Sequence, residues 1–159
     1  GVDVLVEAFY DILKDGLSAT LTIAGNGNLR DYFKLDECPE QIHIINRYIS
    51  ESEVDMLFRK DNTVLVVPYK DATQSGVISL AYEYMIPIIA SDTGGLREQL
   101  VDGKAGILVQ PNSSFQLKKV MEKFIMDDQI YKDGVDKTEY FKNYFSWNEI
   151  AKEMVESFY

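Results

Sequence analysis

Residues 63–98 read TVLVVPYKDATQSGVISLAYEYMIPIIASDTGGLRE, and this stretch decides the fold. It predicts a strand, a polar loop, a helix, a second strand, a glycine loop and a further helix. The first segment, from Thr63 to Val67, is apolar and β-branched, which is typical of a strand buried on both faces. Pro68 ends it. We therefore expect a β-α-β unit at the centre of the chain.

The polar loop of this unit carries residues that favour a helix start. Asp71 and Thr73 have side chains that cap helices, and Ser75 and Gly76 follow at the predicted start. Gly76 has no Cβ, so a ligand can approach the main chain closely there. Main-chain N–H groups at a helix start and the helix dipole favour a negatively charged group such as phosphate. A plain capped β-α turn explains the same residues without a ligand, and both interpretations stay open at this point.

Strands and helices alternate on both sides of this unit. Further strands are predicted at 19–24, 41–46, 87–91 and 106–109, and helices at 2–14, 29–35, 96–101, 113–126, 128–144 and 146–158. Ser50 with Glu53, and Ser146 with Glu149, form capping-box patterns. Strands separated by helices of this length predict right-handed crossovers. The sequence therefore predicts an α/β fold with a doubly wound, Rossmann-like parallel sheet of five strands and extra C-terminal helices.

Composition narrows the function classes. The 159 residues suffice for one domain, and the net charge of −10 argues against a nucleic-acid surface, which needs clustered Lys and Arg. A phosphorylated ligand is still compatible with this charge, because main-chain N–H groups can hold phosphate. The single cysteine, Cys38, fits a reducing compartment, so we expect a cytoplasmic protein. No apolar run approaches the length of a membrane span.

Single residues offer little catalytic chemistry. With one histidine and one cysteine in the chain, we expect neither a metal site nor a Cys-His nucleophile pair, and no cofactor. His43 lies mid-strand among apolar residues, as a core or sheet-face histidine does. Ligands of doubly wound sheets bind beyond the carboxyl ends of the strands. The loops predicted at those ends are 25–28, 47–50, 69–75, 92–95 and 110–112.

Five segments, in this order along the chain, resemble the C-terminal, donor-binding domain of the retaining glycosyltransferases of family 4, also called group 1, with the GT-B fold. The segments are Gly1–Phe9, Leu21–Gly27, Ile49–Val54, Val64–Tyr69 and Pro87–Glu98. The pattern Pro-x-x-x-Ser-Asp-x-Gly-Gly-x-x-Glu in the last segment is the most specific of them. The resemblance covers nearly all of the chain.

The resemblance implies an enzyme that transfers a hexose from a nucleotide-sugar to a glycan or lipid-linked acceptor, with retention of configuration and without a metal. Such enzymes act in polysaccharide or lipid-linked glycan assembly. The resemblance also implies a cytoplasmic protein whose full-length form associates peripherally with the inner face of the membrane. Nucleic acid is not an implied partner.

The donor contacts that the resemblance implies lie in three loops and one helix. They are Gly25, Gly27, Arg47, Tyr48, Thr73, Gln74, Ser75, Gly76, Val77 and Glu83. Tyr48 would stack on the nucleotide base, and the alternative for the 47–48 pair is a surface arginine with a half-buried tyrosine. Glu83 lies one helical turn after Leu80, so its side chain would lie on the same side of the helix. The alternative for Glu83 is an exposed glutamate with a structural role.

Two positions depart from the family pattern. Most members carry two glutamates eight residues apart, of which the first contacts the donor sugar and the second the ribose. The corresponding residues here are Ala72 and Leu80. A non-catalytic nucleotide-binding or interaction module of the same fold is therefore an alternative. An unrelated flavodoxin-like or Rossmann domain is a third, although the chain lacks a Gly-x-Gly-x-x-Gly fingerprint in a β-α turn.

The chain opens on a helical pattern without an initiator Met, and the family's first strand would precede Gly1. We expect residues 1–159 to be one domain, a fragment that lacks the acceptor domain and that strand and is inactive alone. In the order 3-2-1-4-5-6, the first strand lies between the strands at 19–24 and 62–67. Without it their edges face each other across roughly 9–10 Å. An upstream strand, a neighbouring copy or direct pairing of the two edges would resolve this.

Overall fold

The computed structural model describes residues 1–27 and 38–144. The predicted helices at 29–35 and 146–158, with the capping-box pattern at Ser146, lie outside these residues. In the described part, strands and helices alternate from residue 42 to residue 126, and a further helix follows. The elements are α1 Val2–Lys14, β1 Leu21–Ala24, β2 Ile42–Ile45, α2 Glu51–Phe58, β3 Leu65–Val67, α3 Gly76–Glu83, β4 Ile88–Ser91, α4 Leu96–Gln99, β5 Ile107–Val109, α5 Ser114–Met126 and α6 Asp128–Tyr144.

The five strands form two parallel sheets. β1 pairs with β2, and the second sheet has the order β3-β4-β5. The α/β class and the parallel pairing are confirmed, but the predicted single sheet is interrupted between β1 and β3. These are the two strands that would flank the family's first strand. Within the described ranges their edges have not paired with each other.

One apolar core joins the two sheets on one face. It contains Phe9 and Ile12 of α1 and Leu117 of α5, with side chains from β1, β2, β4 and β5. A second apolar core lies around α3 and α4. In it, Ile78 of α3 and Leu96 of α4 are fully buried against β3 and β4. Because β1 and β3 share no hydrogen-bonded ladder, the packing of α1 and α5 holds the two sheets in one body.

The direction of α1 puts the loops of both sheets on one edge. Gly1, at the start of α1, lies so close to the carbonyl group of Pro68 that an added Cβ would overlap it. Pro68 follows the carboxyl end of β3, whereas α1 ends shortly before the amino end of β1. The carboxyl ends of β1 and β3 are therefore at the same edge of the molecule.

The other face of the two-stranded sheet carries polar side chains. Thr22 and His43 lie opposite each other and are exposed, while Leu21 and Ile42 point to the core and are buried. His43 is thus a sheet-face residue, one of its two predicted placements. Among the described helices, none is both long and apolar enough to cross a membrane.

Candidate functional site

The loop after β3 turns into α3 at the carboxyl edge of the larger sheet. Ser75 occupies the N-cap position with an extended backbone, φ −138° and ψ 117°, and its side chain makes no capping hydrogen bond. The sequence pattern predicted Asp71 and Thr73 as the capping residues. This prediction is wrong, since the N-cap residue is Ser75. The physical reason is that the main chain of Ser75 is held from α4, as described below.

Two glycines of the loop after β4 support this segment. The N–H of Gly95 donates to the carbonyl oxygen of Ala72 at 3.3 Å. A Cβ added to Gly94 would overlap that oxygen, and one added to Gly95 would overlap the carbonyl oxygen of Thr73. Gly94 also has φ +48°. Only residues without a side chain allow the two main chains to approach this closely.

Gln99 fastens Ser75 from the end of α4. Its Oε1 accepts the N–H of Ser75 at 2.7 Å, and its Nε2 donates to the carbonyl oxygen of Ser75 at 3.1 Å. Ser75 is buried, and its Oγ has no hydrogen-bond partner among the described residues. Sequence reasoning missed Gln99, because a contact across 24 residues leaves no local pattern.

The start of α3 presents main-chain donors to solvent. The N–H of Ile78 donates back to Ser75 at 3.2 Å, which leaves the N–H groups of Gly76 and Val77 without a partner in the described part of the chain. Gly76 is exposed, and a Cβ added to it would meet no atom within 4 Å. With the exposed side chains of Thr73 and Gln74, this helix start is open to an anionic ligand.

The other two loops with predicted donor contacts follow β1 and β2, at the end of the smaller sheet. Gly25 has φ +141°, and its N–H donates to Ile45 at 3.1 Å. The N–H of Gly27 donates to Oδ1 of Asn46 at 3.0 Å, so an asparagine that the sequence did not single out ties the glycine turn to the end of β2. Tyr48 follows in the same edge region and is 81% exposed.

The carboxylate of Glu53 organises the loop between β2 and α2. It accepts the N–H and the hydroxyl of Ser50, at 3.0 and 2.8 Å, which confirms the predicted capping box. Arg47 donates from Nη1 at 2.9 Å and from Nη2 to the other oxygen. The Arg47 guanidinium, with the two Ser50 donors, lowers the pKa of Glu53 to about 2. Arg47 is held by Glu53, and Tyr48 beside it is exposed.

Basic side chains near this edge have acidic partners. The pairs are Arg47 with Glu53, Lys70 with Asp3, and Arg97 with Asp92. The hydrogen bond from Lys70, 2.6 Å long, lowers the pKa of Asp3. The favourable potential for an anion at the start of α3 therefore comes chiefly from main-chain dipoles. In residues 1–27 and 38–144, no cluster of three or more His, Cys, Asp or Glu side chains has a metal-binding arrangement.

Glu83, the last of the predicted donor contacts, lies at the other end of α3. This residue ends α3, roughly 10 Å along the helix axis from Gly76. Lys142 of α6 donates to its carboxylate at 3.2 Å and to its carbonyl oxygen at 2.9 Å. A helix of two turns separates the two ends of α3, and the contact with Lys142 agrees with the exposed structural role that was the alternative for Glu83.

Comparison with known proteins adds a family match. A family model described as "Glycosyl transferases group 1" matches residues 1–144. An uncharacterized glycosyltransferase of Methanocaldococcus jannaschii is 30% identical over 155 residues, which cover 94% of this chain and 41% of that protein. Glycogen synthase of Thermus thermophilus is 28% identical over 112 residues, 69% of this chain and 25% of that enzyme. The chain thus spans about two fifths, or less, of the length of these relatives.

Solved structures share the fold. Sucrose-phosphate synthase from Thermosynechococcus elongatus superposes with a TM-score of 0.71 at 21% identity, over 99% of this chain and 41% of that one. Anabaena HepE in complex with UDP and glucose superposes with a TM-score of 0.61 at 14% identity, over 96% of this chain and 52% of that one. At these identities the likeness concerns the fold alone.

Replacing Gly95 with Ala should destabilise the protein by about 1–3 kcal/mol, because the new methyl group overlaps the carbonyl oxygen of Thr73. Gly76→Ala is the matched control, and it should change the free energy of unfolding by less than about 0.5 kcal/mol, since open space surrounds that position. Urea unfolding measures both. Equal stability of the two variants would contradict the close approach of the loops.

Replacing Glu53 with Gln should lower the free energy of unfolding at neutral pH. The pKa of Glu53 lies near 2 in the folded chain and near 4.5 without its partners, so its contribution is present above pH 4.5. The difference between wild type and Glu53→Gln should therefore shrink as the pH falls from 4.5 towards 2. Glu51→Gln, in the same helical turn, controls for the helix dipole. A difference that persists at pH 2 would refute the assignment.

Proposed function

The chain belongs to the glycosyl transferases of group 1, and from this we propose that it is the donor-binding domain of an enzyme that transfers a hexose from a nucleotide-sugar to a glycan or lipid-linked acceptor. The observation that carries the proposal is the accessible start of α3. There the N–H groups of Gly76 and Val77 have no partner among the described residues, and the preceding loop is fixed by Gly94 and Gly95.

The proposed site uses main-chain groups for the diphosphate and side chains for the sugar. The N–H groups of Gly76 and Val77, with the dipole of α3, would stabilise the charge that develops on the leaving diphosphate. The exposed side chains of Thr73 and Gln74 supply hydroxyl and amide groups for sugar or phosphate oxygens. Tyr48, which is exposed beside the fixed Arg47, would stack on the base.

The structural neighbours suggest the first donor to test. HepE structures hold UDP and glucose or UDP-glucose, which supports a uridine nucleotide-sugar as the starting probe here. We propose retention of configuration, as in family 4, and chemistry without a metal ion. We also propose that the full-length enzyme works in the cytoplasm, at the inner face of the membrane, on a polysaccharide or lipid-linked acceptor.

A non-catalytic nucleotide-binding module is the second candidate. Ala72 and Leu80 stand where most members of the group carry glutamates, and this observation favours it. The two candidates differ in turnover, since both bind a nucleotide. Release of nucleoside diphosphate from a nucleotide-sugar by the intact protein, in the presence of an acceptor, would select the enzyme.

We further propose that the chain is one part of a longer, two-domain enzyme whose additional strand lies between β1 and β3. Leu21 of β1, and Gly25 immediately after it, donate their N–H groups to the β2 side. Main-chain polar groups alternate in direction along a strand, so those of Thr22 and Ala24 turn away from β2. This edge can pair with one more strand.

The same alternation applies to β3. The N–H of Leu65 donates to Pro87 at 2.9 Å, on the β4 side. The main-chain groups of Val64 and Val66 therefore turn away from β4. Two parallel edges with free ladder positions are the geometry that one inserted parallel strand would satisfy. The proposed occupant is an extended segment upstream of Gly1, and the acceptor domain would precede it.

Hydrogen exchange tests this proposal. In the 159-residue chain, the amides of Thr22, Ala24 and Val66 should exchange at least about tenfold faster than those of Ile23 and Val67, which face a neighbouring strand. In a protein extended upstream of Gly1, the two sets should be equally protected. Fast exchange of the first set in the extended protein would refute an inserted strand. Their protection in a dimer of the shorter chain would identify a second copy as the occupant instead.

Nucleotide binding tests the site itself. We expect the chain to bind uridine or guanosine diphosphate weakly, with a dissociation constant in roughly the millimolar range, and free hexose undetectably. Gly76→Val should abolish nucleotide binding without unfolding the chain, because its side chain fills the open space at the start of α3. Ser114→Val, at the first residue of α5, is the matched control. Titration calorimetry showing hexose binding without nucleotide binding, or an unaffected Gly76→Val, would contradict the placement.

A further inference from the structure

Gln99 holds both main-chain polar groups of Ser75, and we propose that it is a positioning residue for the donor site, an inference that rests on the proposed function. The two hydrogen bonds, of 2.7 and 3.1 Å, join the end of α4 to the residue immediately before α3. Gln99 does not touch the proposed ligand groups at Gly76 and Val77. It acts on them through Ser75.

The main chain of Gln99 is itself held in place. The main-chain N–H of Gln99 donates to Gly95 at 3.0 Å, and its carbonyl oxygen accepts the hydroxyl of Tyr82 at 2.7 Å. Leu96, at the start of α4, and Leu100, immediately after it, are fully buried. A side chain that starts from so fixed a main chain loses little further freedom when it bonds Ser75.

The two hydrogen bonds between Gln99 and Ser75 determine which N–H groups remain available at the start of α3. A helix leaves its first N–H groups without partners inside the helix. Here Gln99 takes the N–H of Ser75, and Ile78 bonds back to the Ser75 carbonyl oxygen at 3.2 Å. The N–H groups of Gly76 and Val77 remain, and their direction is set before a ligand arrives. Pre-organised donors bind an anion without the cost of ordering the loop first.

The chemistry of the side chain explains why this residue is a glutamine. A primary amide offers one acceptor and one donor on the same rigid plane, which matches the N–H and C=O of a single residue. A glutamate of the same length keeps the acceptor but loses the donor, and a methionine keeps the length but loses both. Gln99→Met therefore removes both hydrogen bonds to Ser75 with little change in side-chain volume.

The test compares Gln99→Met with Gln129→Met, which removes an exposed hydrogen bond to Asp133 at 2.7 Å. In wild type, uridine diphosphate should shift the amide NMR signals of Gly76 and Val77, and the amide of Ser75 should exchange slowly. In Gln99→Met, we expect the Ser75 amide to exchange at least about tenfold faster and the nucleotide to bind about tenfold more weakly, in a chain that remains folded. Gln129→Met should behave as wild type.

The outcomes separate this inference from the proposed function. If wild type does not bind the nucleotide, the proposed function fails for this chain, and the positioning role in donor binding falls with it. If wild type binds and Gln99→Met binds equally well, the proposed function stands and the positioning role is refuted. If Gln99→Met loses affinity while the Ser75 amide stays protected, Gln99 does not act through Ser75, and the inference is wrong.

Discussion

One steric constraint underlies the carboxyl edge of the larger sheet: residues 94 and 95 have no side chains, and the main chain of residues 72–73 lies directly on them. β4, buried along its whole length, delivers this glycine pair to a fixed place. Because the two loops touch through their main chains, α4 follows at a set distance from α3. That distance brings the amide of Gln99 within reach of Ser75. The geometry at the start of α3 thus depends on the position of β4, the most buried strand of the sheet.

The charge distribution explains why main-chain donors matter here. The chain carries a net charge of −10, so its overall field opposes the approach of an anion. The basic residues Arg47, Lys70 and Arg97 are each neutralised by a carboxylate. Helix-start N–H groups cannot be neutralised in this way, since their dipoles are fixed by the backbone. An anion that binds at the start of α3 would therefore depend on these local main-chain dipoles.

The sequence predicted what depends on local patterns. The apolar stripe of α1 and the Ser50 capping box involve residues three or four positions apart, and both are present in the structure as expected. Contacts across longer separations were not predictable. The N-cap of α3 is Ser75 because Gln99, 24 residues later, holds it, whereas local propensity favoured Asp71 or Thr73. Helical spacing from Leu80 predicted Glu83 as a donor contact. In the structure, Lys142 of α6 lies beside Glu83 at the end of α3.

The packing of α1 on α5 has a consequence for how the chain folds. Phe9 and Ile12 lie near the start of the sequence and bury their side chains with Leu117, more than a hundred residues later. Contacts of such high sequence separation form late, because a long loop must close first. During synthesis, α1 can pack against β1 and β2 early, but its contact with Leu117 can form only after α5 has left the ribosome. The core around α1 is therefore completed late in folding, when the last of its helices has been made.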